Sequence, residues 1–159
     1  MCSSDLSSRQ NGLMRLLGNC CEARNRAYLL QSLRDHGKLV SIQSVVQRAS
    51  RLADKGDLSE TVLEIDQRVE PALFESQSEA ELFALIQRLS PLARSSDTFA
   101  ALAEELAGSS ATLSSFFDGP DSVMVMCEDI NLRNNRIALL SILRNQASIL
   151  GDFTLLENE

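Results

Sequence analysis

Apolar residues three and four positions apart run through most of this chain, and that spacing commits it to helices. Leu13, Leu16, Leu17, Cys20, Ala27, Leu30 and Leu33 predict a helix over 11–34. Gly18 weakens it, and Asp35-His36-Gly37 stops it, with Gly37 suited to a C-cap. Val45, Val46, Ala49 and Leu52 predict a second helix over 38–53, ending at Lys55-Gly56-Asp57. Residues 58–69 have no clean period; Val62, Leu63 and Ile65 read as an apolar segment laid over the bundle. Pro71 fits the first turn of a short helical piece through Leu73-Phe74.

A helix over 78–92 turns Leu82, Phe83, Leu85, Ile86 and Leu89 inward. Ser78 with Glu81 has the spacing of a capping box at its start. Asp97 is read as the cap of a helix over 98–107 with Leu102 and Leu106 inside, broken by Ser109-Ser110. A short helix over 111–117 then brings Phe116 and Phe117 to a turn at Asp118-Gly119-Pro120. The apolar run from Val123 to Met126 reads as core-filling material. The last helix, over 129–150, carries the stripe Leu132, Leu139, Leu140, Leu143, Ala147 and Leu150. No β-hairpin signal and no fixed repeat appears. The expected fold is all-α: an antiparallel bundle of about five or six helices joined by short loops.

At 159 residues the chain is one domain in size, long enough to bury a core. Its 44% apolar and 23% charged residues describe a globular protein, not a disordered one. No run approaches the roughly 20 apolar residues of a membrane span, so no membrane partner is expected. Four cysteines without a CxxC pair and a single histidine, His36, make a poor disulfide framework and a poor metal set. That usage fits a reducing, cytoplasmic setting. One histidine in a turn leaves no nucleophile–base pair to assemble, and no glycine-rich loop precedes a helix to cradle a phosphate. No catalytic and no metal-binding residue is assigned. The residues by themselves describe a binding or structural module.

Net charge is −7 but unevenly spread. Residues 1–56 carry nine bases against four acids, a balance of +5, and the remainder six bases against eighteen acids, a balance of −12. Thirteen of the fifteen bases are arginine, whose planar fork suits phosphate. Arg48, Arg51 and Lys55 fall within an arc of about 60° on the second helix and form the first-choice RNA-binding stripe. Arg133, Arg136 and Arg144 share an arc of about 80° on the last helix. They either form a second phosphate-facing row or pair with acids such as Glu128 and Asp129 to fix the helix start, and the density of acids nearby favours pairing. Six Phe and one Tyr are thin supply for base stacking. Backbone positioning is therefore expected ahead of base reading.

Several motifs carry a resemblance. FFDG…VMVM followed by acids and LRxNRxALLxxLR, over 115–144, resembles the extreme C-terminus of the beta subunit of bacterial-type glycyl-tRNA synthetase. Arg48-Ala49-Ser50-Arg51-Leu52-Ala53 with Lys55-Gly56-Asp57-Leu58 is similar to that family's NRxxRLA…GDL segment, although Gln47 stands where the family has asparagine. Val69-Glu70-Pro71-Ala72-Leu73-Phe74-Glu75 resembles its VDPxLFE, Glu79-Ala80-Glu81-Leu82 its AExxLY, and the stretch over 151–156 its ADFSxL tail. The insert Gly119-Pro120-Asp121-Ser122 lengthens a turn that is tighter in many members.

The resemblance covers residues 27–156. It implies a helical, anticodon-binding-type domain that contributes to tRNA(Gly) binding during ATP-dependent glycyl-tRNA formation. It also implies a heterotetramer in which the alpha subunit holds glycine, ATP and Mg, with no cofactor bound by this region. Two other readings stand beside it: a helical scaffold for subunit contact without RNA contact, and the related domain of an arginine-type synthetase. Residues 7–26 form a poorly matched lead-in helix, and 27–159 the tRNA-binding domain. Residues 1–6, MCSSDL, match the translation of a common sequencing-adapter tail, GTGTGCTCTTCCGATCT, with GTG as start. On that reading they are an artefact and the chain is a C-terminal fragment.

Overall fold

The structure, a computed structural model, describes residues 20–65 and 67–151. The leading hexapeptide, the expected helix start over 11–19 and the tail over 152–156 lie outside them. Among the described residues six helices form: α1 (20–35), α2 (Lys38–Ala53), α3 (Gln77–Ala93), α4 (Phe99–Gly108), α5 (Ser110–Asp118) and α6 (Ile130–Ser148). Short 3-10 turns at Pro71–Leu73 and Ser96–Thr98 precede α3 and α4. No strand occurs among the described residues, and the all-α bundle expected from the spacing is the one observed.

The last helix is the hub. α6 packs on α2 and α3, and α3 in turn meets α4 and α5. The stripe expected of an amphipathic helix is too narrow a description. From Asn135 to Leu143, every residue of α6 is buried, polar ones included. Such a helix is affordable only if its polar groups find partners. Most do so in the irregular segment between α2 and α3 or on α3 itself, although Gln146 Oε1 is buried with no hydrogen-bond partner among the described residues. Asn145 donates through Nδ2 to the carbonyls of Ser59 (2.9 Å) and Val62 (2.8 Å). Gln146 donates through Nε2 to those of Leu63 (2.7 Å) and Ile86 (3.2 Å). Asn135 accepts from the Glu70 backbone N–H at 2.6 Å and donates to its carbonyl at 3.1 Å. The described residues of 58–70 thus lie across the bundle as their apolar content predicts, with side chains of α6 bonding the carbonyls of Ser59, Val62 and Leu63 and both backbone groups of Glu70. Val62, Leu63 and Ile65 pack against the core beneath it.

Two glycines are fixed by geometry. Gly37 links α1 to α2 at φ 69°, the left-handed conformation that a side chain disfavours. Gly56 has ordinary backbone, but a Cβ there would meet Ile137 Cγ2 at 2.5 Å. The turn after α2 therefore sits directly on α6.

Local starts differ from expectation in two places. The capping box of α3 is Ser76 with Glu79, two residues earlier than Ser78 with Glu81. Ser76 Oγ accepts from the Glu79 N–H at 3.3 Å, and Glu79 Oε2 accepts from the Ser76 N–H at 2.9 Å. Ser78 instead donates its hydroxyl to the Asp121 carbonyl at 2.5 Å, tying α3 to the turn after α5. Asp97 does not cap α4, because it falls inside the 3-10 turn and Thr98 takes the cap position. The run Val123–Met126 is only half core: Val125 is buried and Val123 partly so, while Met124 is 73% and Met126 45% exposed. Neighbouring side chains in a non-helical run face opposite ways, which a composition argument overlooks.

Candidate nucleic-acid interface

The basic stripe sits where α2 ends on α6. Arg48 and Arg51 lie on the helix; Lys55 lies just past it, in the turn that Gly56 seats against Ile137. The three are not equivalent. Arg48 donates through Nη1 to Asp118 Oδ2 at 2.6 Å, and its guanidinium lies 4.5 Å from the Phe117 ring centroid. Phe117 in turn packs edge-on to the buried Phe116 at 5.3 Å. The side chains of Arg51 and Lys55 are exposed and have no charged partner among the described residues.

The second row is used internally. Arg136 is 6% exposed and donates through Nε to Glu79 Oε1 (2.8 Å), through Nη2 to Glu75 Oε2 (2.9 Å) and through Nη1 to the Met124 carbonyl (3.1 Å). Burial pushes the Glu79 carboxyl up, but the Arg136 hydrogen bond, the Glu75 and Ser76 N–H groups and the Arg136 charge outweigh it and hold the carboxyl below its ordinary value. Burial likewise pushes the Arg136 guanidinium down, and the hydrogen bonds and charges of Glu79 and Glu75 more than restore it. Arg144 donates through Nη1 to Asp54 Oδ1 at 3.2 Å and braces its other nitrogens on Asn145 Oδ1. Arg133 makes only a long contact, 3.5 Å, to the Cys127 carbonyl. The pairing expected of this row is therefore real for Arg136 and Arg144, but its partners are Glu79, Glu75 and Asp54 rather than Glu128 and Asp129. Asp129 caps α6 instead, accepting from the N–H groups of Asn131 (2.8 Å) and Leu132 (3.2 Å).

Beside Lys55 the surface opens into two adjoining cavities of about 470 and 350 Å³. The first lies between the 55–58 turn and α6; the second continues past Arg68 to Gln67, Leu73, Asn131 and Asn134. Arg68 and Asn134 belong to both. The sequence reading missed this groove. The signal available was the i, i+3 pair Asn131 and Asn134 on one helix face, but nothing local shows that segment 67–73 forms the opposite wall.

Comparison with known proteins then bears on the family. A glycine–tRNA ligase beta subunit from Acaryochloris marina is 42% identical over 151 residues, 93% of this chain and 21% of that protein. The beta subunit from Gloeothece citriformis is 39% identical over 142 residues, 87% of this chain and 20% of its own length. The chain is a homologue of glycine–tRNA ligase beta subunits. A more distant beta subunit, from Streptococcus pyogenes, is 39% identical over 114 residues, 72% of this chain and 15% of that protein. No protein-family model matches. The chain spans about a fifth of the length of the curated relatives it matches. With the glycine–tRNA ligase beta subunit of Acaryochloris marina, the similarity reaches beyond the 27–156 span carried by the motifs. The Arg51-Leu52-Ala53…Gly56-Asp57-Leu58 motif now has a physical basis: Ala53 is buried and Gly56 lets the turn touch α6.

Proposed function

We propose that this chain is the C-terminal, tRNA-binding region of a cytoplasmic glycine–tRNA ligase beta subunit. In that role it positions tRNA(Gly) for a catalytic alpha subunit that uses glycine, ATP and Mg within a heterotetramer. The observation that carries the reading is the exposed, uncompensated pair Arg51 and Lys55 at the α2–α6 junction, in the positively charged third of an acidic homologue of such subunits. Phosphate neutralisation by these two releases counterions and supplies sequence-independent affinity. Arg48 contributes when an incoming phosphate replaces Asp118. Arg136 and Arg144 serve the domain itself.

The test is binding of a fluorescent tRNA(Gly) transcript to the full chain. Arg51→Glu with Lys55→Glu lowers affinity by roughly tenfold or more, while Arg88→Glu, a charge reversal at an exposed position of α3, leaves it unaltered. Equal affinity of the two variants would favour the scaffold reading, in which subunit contact and not RNA is the role.

A further inference from the structure

We propose that Met124, Met126 and Ile130 form a docking surface for the remainder of the beta subunit, which meets them with an apolar face bordered by lysine or arginine. The inference rests on the reading of this chain as one region of such a subunit. It concerns a surface that the tRNA-binding reading does not use.

Exposed apolar side chains are unevenly placed in this fold. Five large hydrophobics stand out in solvent among the described residues, and three of them fall between 124 and 130: Met124 at 73%, Met126 at 45% and Ile130 at 60%. The other two, Tyr28 and Val40, lie on α1 and α2. Val123 and Val125 alternate with the methionines and turn into the core, so the run has one apolar side inward and another outward. The outward side is held in place. The Val123 N–H donates to the Phe116 carbonyl at 2.8 Å, and the buried Arg136 donates to the Met124 carbonyl at 3.1 Å. Asp129 caps the helix whose first residue is Ile130. A surface fixed in advance loses little freedom when it is covered. Methionine, flexible and polarizable, adapts to whatever packs on it.

Charge and area select the occupant. Residues 121–130 include Asp121, Glu128 and Asp129 and no base, and all three acids are exposed. A complementary partner therefore carries bases around an apolar centre. A second copy fits poorly, because a two-fold contact would set this acidic border against itself. Three side chains at these exposures offer on the order of 300 Å² of apolar surface, short of the roughly 800 Å² per partner of a free-standing complex. So small a contact is occupied when a covalent tether supplies an effective concentration of about a millimolar. The rest of a beta subunit provides that tether: this chain spans 21% of the Acaryochloris marina protein and 20% of the Gloeothece citriformis one.

Oxidation footprinting tests this. Hydrogen peroxide converts accessible methionines to the sulfoxide, and peptide mass spectrometry follows Met124 and Met126. This chain by itself is compared with a chimera in which it replaces the matching region of the Acaryochloris marina beta subunit. In the chimera both methionines should oxidise at about one tenth of the isolated rate or less. Met124→Glu with Ile130→Glu returns Met126 to the isolated rate. Both positions are exposed and an acid suits the first turn of α6, so this variant should melt with the parent. Glu128→Lys weakens the protection by removing one border charge. A second format needs no chimera to fold: the Acaryochloris marina subunit without its matching region, added in trans, protects both methionines as its concentration rises. Equal oxidation in both formats, or protection that survives Met124→Glu with Ile130→Glu, overturns the proposal. Protection that grows with the concentration of this chain alone assigns the surface to a second copy, and protection that needs an added alpha subunit assigns it there; either overturns it. Binding of tRNA(Gly), measured on the same samples, separates this from the reading above. Binding without protection leaves only the RNA role, and protection without binding leaves only the docking surface.

Discussion

Replacing Arg136 with methionine should be the most costly single change to a charged residue of this domain, and the reason is Glu79. That carboxylate is fully buried. Its Oε2 accepts from the N–H groups of Glu75 (2.8 Å) and Ser76 (2.9 Å), but the one cation bonded to it among the described residues is Arg136, on Oε1 at 2.8 Å. Methionine preserves most of the stem volume and removes the charge. An uncompensated buried partner costs about 3–5 kcal/mol, a large part of the roughly 5–15 kcal/mol that holds a domain together. Urea unfolding of the full chain at pH 7 measures it.

The pH dependence gives the sharper signature. In the parent, the folded-state Glu79 carboxyl lies below its unfolded value, so its stabilisation is complete above about pH 4.3 and is lost as pH falls through the folded pKa. In Arg136→Met the arginine hydrogen bond and charge are gone and only the Glu75 and Ser76 N–H groups oppose burial, so the carboxyl pKa rises relative to the parent, and acid protonation of Glu79 in the native state relieves part of the penalty. The deficit relative to the parent should therefore narrow as pH drops from 7 towards 4. Glu79→Gln in the Arg136→Met background should restore part of the lost stability, since glutamine keeps the reciprocal cap and carries no charge. A deficit below about 1 kcal/mol at pH 7, or one that is the same at pH 7 and pH 4, would refute the reasoning.

Gly56→Ala should cost about 1–3 kcal/mol through overpacking against Ile137, read as a lowered urea midpoint with an unchanged slope. Asn145→Ala leaves the carbonyls of Ser59 and Val62 without their donor and should cost about 1–3 kcal/mol, with hydrogen exchange accelerated first in segment 59–63. Phe116→Ala should cost about 3–5 kcal/mol, whereas Met124→Ala, at a 73%-exposed position, should stay within about 0.5 kcal/mol; comparable losses would mean the Val123–Met126 run packs as core after all.

The number and placement of helices were legible because apolar spacing is a local signal. Lys38–Ala53 is observed with the boundaries the stripe predicts, and Pro71 opens its short turn. What escaped depended on pairing across the chain. Nothing near Glu79 in sequence shows that its partner lies 57 residues away on α6, and so Ser78, the nearer hydroxyl, was read as the cap. The breadth of burial on α6 was hidden for the same reason, since Asn135, Asn145 and Gln146 look like solvent-facing residues until the segment they hold is folded over them. The basic stripe was legible as an arc, but only the tertiary contact of Arg48 with Asp118 and Phe117 separates it from Arg51 and Lys55. The groove required both walls and left only the Asn131–Asn134 spacing as a trace.

The claim that Arg51 and Lys55 carry RNA contact is tested most directly by a salt titration of tRNA(Gly) binding. Two phosphate contacts predict a log–log slope of roughly −1.5 to −2, approaching −3 where Arg48 exchanges Asp118 for a third phosphate. Reversing Arg51 and Lys55 should bring that slope towards zero. A slope that the reversal leaves unchanged would contradict the assignment and place the RNA, if bound, elsewhere on the domain.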